Sequence, residues 1–178
     1  VLYLAAVAGI IKKHNIKAVL SSIFTPGFVF FACLMLFLVF ANYGRMPSGT
    51  DSFSHWADIV KVMASLDDFG TNPNSHSAFQ SYPPAMSLFQ YFVQKLYQWT
   101  SGEFFSEWRV FLGYYVFFFS VSMPFFKGCS AKRPLSFALL TAIVLLSPLV
   151  LFSYAYEALQ VDIFLGILFG CGFAAIIL

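Results

Sequence analysis

Five apolar stretches of the chain carry no charge: residues 1–11, Ala18–Gly44 (27 residues), Val110–Phe126 (17), Pro134–Tyr156 (23) and Ile163–Leu178 (16). A bilayer's hydrocarbon layer is about 30 Å thick and needs about 20 apolar residues to cross as a helix. In lipid every backbone polar group must be satisfied internally, which only a helix or a closed barrel achieves. Barrel strands would alternate over roughly 10 residues, and these runs do not. The pattern predicts an all-α fold, a multi-pass transmembrane helix bundle. Pro26-Gly27 separates a short interfacial turn at 16–23 from the first long span, because proline suits a first helical turn and glycine ends a preceding one. Pro148 falls inside a later span, where it should kink the helix, and Gly166-x-x-x-Gly170 offers a place for close helix approach.

Between these runs lies a different segment, about 44–105, too long for a simple hairpin connection. Thr50 or Ser52 can cap a helix with Asp51 in its first turn. Trp56, Ile59, Val60, Met63 and Leu66 then recur at helical spacing and give one apolar face. Asp67 to Pro84 is rich in Asn, Ser, Gly and Pro and reads as a loop. After Tyr82-Pro83-Pro84, the apolar residues Ala85, Leu88, Phe89, Phe92, Val93 and Leu96 share a face. Gln90, Gln94 and Gln98 lie largely elsewhere. With Tyr91, Tyr97 and Trp99, this predicts an amphipathic juxtamembrane helix lying in the interface. Reading Ala85–Trp99 as another span is the alternative; Lys95 and the three glutamines argue against it.

Charge then orients the bundle. Lys12, Lys13 and Lys17 form one acid-free basic cluster, and Lys127, Lys132 and Arg133 form another. Short loops rich in Lys and Arg stay cytoplasmic. The chain then enters from outside over 1–11, exits near 24–43, keeps 44–105 outside, returns at ~106–126, exits at ~134–152 and returns at ~163–178. All eight acidic residues (Asp51, Asp58, Asp67, Asp68, Glu103, Glu107, Glu157 and Asp162) fall on or near the outer side. The composition, 60% hydrophobic and 10% charged, excludes an ordinary soluble domain and a disordered one. The net charge of +2 gives no reason to expect a nucleic-acid partner. Cys33, Cys129 and Cys171 have neither metal-ligand nor disulfide spacing. A chain that starts at Val1 and stops within an apolar run reads as a fragment of one longer transmembrane domain, residues 1–178.

The candidate chemistry sits where the first long span ends. Asp51-Ser52-Phe53-Ser54-His55-Trp56 puts a carboxylate and an imidazole four apart, on one face if the helix begins at Asp51. This segment, with Tyr82-Pro83-Pro84-Ala85-Met86-Ser87-Leu88-Phe89-Gln90-Tyr91-Phe92, resembles bacterial membrane-embedded glycosyltransferases of the C-type fold, which use polyprenyl-phosphate sugars as donors. The resemblance covers roughly residues 24–170. It implies that Asp51 is the catalytic carboxylate of the first outer loop and that an acid on a later outer loop assists, for which Glu157 and Asp162 stand in place. In that family a second acid often follows the first; Ser52 stands there here, which argues against a metal role at that position, while a divalent metal stays open as a cofactor.

The residues support such chemistry in their own right. Asp51 can accept the proton of an acceptor hydroxyl, a step worth about 10²–10⁴ in rate. A single base with direct displacement inverts the anomeric centre. Arg45 and His55 are candidate partners for the departing phosphate, Arg being suited to bidentate contact, and Tyr82 is a further candidate substrate-binding residue. The expected partners are membrane lipid, a polyprenyl-phosphate-linked sugar, and a glycan, lipid or protein acceptor. The expected location is the cell membrane, with the catalytic loop extracytoplasmic. Two other classes compete: a transporter or lipid flippase, and a non-enzymatic scaffold that tolerates loss of Asp51 and His55. Each of these residues also has a plain alternative role, Asp51 as a helix cap and Arg45 as a headgroup anchor.

Overall fold

The structure is a computed structural model describing residues 16–82, 84–128, 134–151, 156 and 158–177. Among these residues the regular structure is entirely helical. Seven α-helices follow in order: α1 (Ile16–Ile23), α2 (Pro26–Asn42), α3 (Asp58–Leu66), α4 (Ala85–Ser101), α5 (Trp108–Ser122), α6 (Pro134–Leu151) and α7 (Val161–Ile177). A π-helical turn, Ser52–Ala57, leads directly into α3, and a 3₁₀ segment, Met123–Gly128, extends α5. The first uncharged run, the second basic cluster apart from Lys127, and Glu157 lie outside the described residues.

The break before α2 forms where the sequence predicts it. Thr25 Oγ1 accepts a hydrogen bond from the Phe28 amide at 3.2 Å, and Pro26 occupies the first helical position. There the missing proline N–H leaves no further donor unsatisfied. Gly27 then lets α2 meet the 3₁₀ segment, since a Cβ at Gly27 would stand 2.8 Å from Phe126 Cβ. By contrast, a Cβ at Gly166 or Gly170 would meet nothing within 4 Å. The expected close approach at that pair is not made; both glycines line a hollow of about 370 Å³ between α5, α6 and α7.

Helix α5 is the hub, packing against α2, α4 and α7. Its Phe111, Tyr114, Tyr115, Phe118 and Phe119 are buried together. Among the described residues, one helix, Trp108–Phe126, is long and apolar enough to cross a membrane; Pro26–Asn42, Pro134–Val150 and Val161–Phe173 are shorter apolar helices. Large apolar side chains such as Phe40, Val150 and Ile176 point outward from α2, α6 and α7.

Helix α4 packs on α5 by its glutamine-bearing edge. It lies antiparallel along the first half of α5, with Phe89 against Phe117, Gln90 against Val110 and Gln94 against Ser106. Its polar edge faces inward. Gln90 Nε2 donates to the Val110 carbonyl at 3.0 Å, and the Gln94 amide both donates to and accepts from the Ser106 backbone. Phe92, Leu96 and Trp99 are exposed instead. Gly113 permits this contact, because a Cβ there would sit 3.0 Å from Gln90 Cα. Arg109, buried at the start of α5, stacks on Tyr97 and Trp108 and faces Glu103 at 3.6 Å, tying the two ends of the α4–α5 connection.

Candidate functional site

Asp51 stands at the head of the π turn with its side chain 77% exposed. Gly49, at φ +87°, turns the chain into it, and its carbonyl accepts from the Phe53 amide at 3.1 Å. The hydroxyl of Ser52 does not cap its own helix, as the sequence suggests. It is buried and accepts a hydrogen bond from the Leu159 amide at 2.9 Å, joining positions 107 residues apart. The same connection before α7 is held from below by α5. Tyr115 Oη donates to the Tyr156 carbonyl at 2.6 Å and Tyr114 Oη to the Gln160 carbonyl at 3.1 Å. Buried phenols thus satisfy backbone acceptors of this connection, and with the Ser52 bond they hold it beside Asp51.

Two hollows meet at that carboxylate. One, of about 530 Å³, is lined by Asp51, His55, Trp56, Tyr82, Gln160, Val161, Asp162 and Leu165. The other, of about 350 Å³, is bounded by Ser48 to Ser52 with Ala158 and Gln160. Asp162 enters the first from the opening turn of α7, so two carboxylates from segments over a hundred residues apart share one cleft.

The hydrogen bonds of His55 assign its tautomer. Ser54 Oγ donates its one proton to the Thr50 carbonyl at 2.5 Å and lies 2.6 Å from His55 Nδ1. A hydroxyl has a single proton to give, so Nδ1 carries the hydrogen and Nε2 is left as the acceptor nitrogen. Nδ1 is 4.0 Å from Asp51 Oδ1, beyond hydrogen-bond length. The ring stacks on Phe79 with centroids 3.5 Å apart, while Tyr82 packs against both Phe79 and Trp56 at 5.1 Å.

The loop bearing Phe79 and Tyr82 starts at Asp67, which sits in the left-handed region at φ 53°. Lys95 Nζ at 2.5 Å and the Tyr91 hydroxyl both bond its carboxylate and hold it below the usual 3.8. Desolvation, then the bond to Asp67, pushes Tyr91 up to about 12. The lowered carboxylate stabilises the folded chain above pH 3.8 and loses that contribution as pH falls through its folded value. The raised phenol contributes below pH 10 and loses its share as pH climbs towards about 12. Asn tolerates the left-handed conformation, so Asp67→Asn isolates the charge. Its thermal midpoint is expected below that of the unsubstituted protein near neutrality, with the gap closing in acid. A gap that stays constant between about pH 3 and 7 would contradict this account.

The cleft thus gathers Asp51, His55, Tyr82 and Asp162 from the residues singled out in the sequence. Arg45 is not among its lining residues: its guanidinium lies 5.4 Å from the Phe111 ring and donates to the Tyr156 carbonyl at 3.4 Å. Glu157 lies outside the described residues. No group of three His, Cys, Asp or Glu side chains that could hold a metal ion occurs among the described residues. Gln160 and Phe79 were not legible beforehand, because a lone glutamine or phenylalanine has no spacing to betray it. Trp56 was assigned only to the apolar face of α3.

The chain matches no protein-family model, and no curated protein or solved structure is significantly similar to it.

Proposed function

We propose that the protein is a multi-pass membrane glycosyltransferase of the C-type, moving a sugar from a polyprenyl phosphate to an acceptor at the outer membrane face. The observation that carries the reading is the cleft that the exposed Asp51 and Asp162 both line. The multi-pass reading is supported by the outward apolar side chains of α2, α6 and α7. Helices of 17 or 18 residues are about 26 Å long at 1.5 Å per residue, close to the apolar thickness they must cross. The inward glutamines and outward phenylalanine and leucine of α4 have the same inside-out sense.

In this mechanism Asp51 takes the proton of the acceptor hydroxyl while its oxygen bonds to the anomeric carbon. The bond from that carbon to the phosphate oxygen breaks, its electron pair leaves with the polyprenyl phosphate, and the anomeric configuration inverts. His55 lines the same cleft, and only its imidazolium form, with a second proton on Nε2, would donate to the departing phosphate. Arg45 has no part in this scheme; its bond to the Tyr156 carbonyl makes it an anchor of the connection before α7. The test is transfer from a panel of labelled polyprenyl-phosphate sugars by the purified protein, with Asp51→Asn alongside. Release of polyprenyl phosphate that depends on Asp51 supports the reading, and consumption of none of the donors opposes it.

A further inference from the structure

We propose that the packed Trp56–Tyr82 pair offers an outer aromatic face as a platform for the flat, C–H-rich face of a pyranose ring, an inference that rests on the glycosyl-transfer reading. The π turn is what makes the platform. In an α-helix, at 100° per residue, positions five apart point about 140° away from each other. In a π turn of about 4.4 residues the same separation shrinks to roughly 50°. Ser52–Ala57 is π-helical, so Asp51, His55 and Trp56 all open onto one cleft. A regular helix would have turned Trp56 away from Asp51.

Tyr82, at the end of the loop, packs on Trp56. Its ring lies 5.1 Å from Trp56 at 33°, and both line the cleft. Phe79 backs the imidazole of His55 from behind. The same cleft is lined by the polar Gln160 and the carboxylates of Asp51 and Asp162. A pyranose has this division of surface: ring C–H bonds on one face suit the negative π-face of an aromatic ring, and equatorial hydroxyls suit carboxylate and amide acceptors. A flat aromatic ligand would leave the carboxylates unused.

The test measures binding of methyl α-D-glucopyranoside, methyl α-D-mannopyranoside and methyl β-D-galactopyranoside to the purified protein, by saturation transfer from protein to ligand hydrogens. Glycerol serves as a polyol without a ring. The expected result is saturation concentrated on one face's ring hydrogens, absent for glycerol. Trp56→Leu, which fills apolar volume without a π-face, is expected to weaken binding about tenfold. Trp56→Phe should keep most of it and shows that the site tolerates substitution. Equal affinity in Trp56→Leu and the unsubstituted protein, or no saturation with any pyranoside, overturns the platform. Ring-face binding without sugar transfer leaves the platform standing and removes the transferase reading. Transfer that persists in Trp56→Leu with unchanged saturation does the reverse.

Discussion

Asp51→Asn is expected to lower sugar transfer by about 10²-fold or more, up to the 10⁴ that a positioned general base supplies. The amide is isosteric with the carboxylate but cannot take up the acceptor's proton. Because the Asp51 side chain is 77% exposed and lies 4.0 Å from His55, its replacement breaks no buried interaction. The variant should therefore insert, purify and melt like the unsubstituted protein. Donor turnover, followed as polyprenyl phosphate released per unit time, reads the effect. A folded Asp51→Asn protein with undiminished turnover would remove Asp51 from the chemistry and leave the cleft without its base.

Ser52→Ala should impair transfer almost as much by a different route. The Ser52 hydroxyl is the acceptor for the buried Leu159 amide. Removing it strands that donor at a cost of about 1–3 kcal/mol, which the connection before α7 can relieve only by moving. Gln160 and Asp162 would move with it, and a misplacement of about 1 Å in a catalytic arrangement costs on the order of 10²-fold in rate. Ser52 is thus a positioning residue, and Ser52→Thr, which keeps the hydroxyl, should recover much of the turnover. If Ala and Thr behave alike, the Leu159 bond does not organise the cleft.

How much of this the sequence disclosed varies from one element to the next. Thr25-Pro26-Gly27 marks the start of α2 because cap, proline and glycine act locally. The π turn has no comparable signature: one extra residue per turn changes which side chains share a face without changing the apolar periodicity that follows in α3. Helix α4 was legible as a helix but not in orientation. Gln90 and Gln94 count as outward-facing in water, yet here their amides satisfy backbone groups of α5 while Phe92 and Leu96 face away. The position of Asp51 beside a membrane-length apolar run was readable. Its meeting with Asp162 was not, since it depends on one hydrogen bond across 107 residues. Arg45, just after α2, looked like a phosphate ligand on proximity alone, and long-range packing against Phe111 gave it another partner.

The central claim is that residue 51 opens to the outside of the membrane at the mouth of its cleft. The direct measurement replaces all three cysteines with alanine, introduces Asp51→Cys, and exposes intact cells to a membrane-impermeant maleimide. Rapid labelling without permeabilisation, slowed when a polyprenyl-phosphate sugar fills the cleft, is the predicted result. Labelling only after the membrane is breached would contradict it.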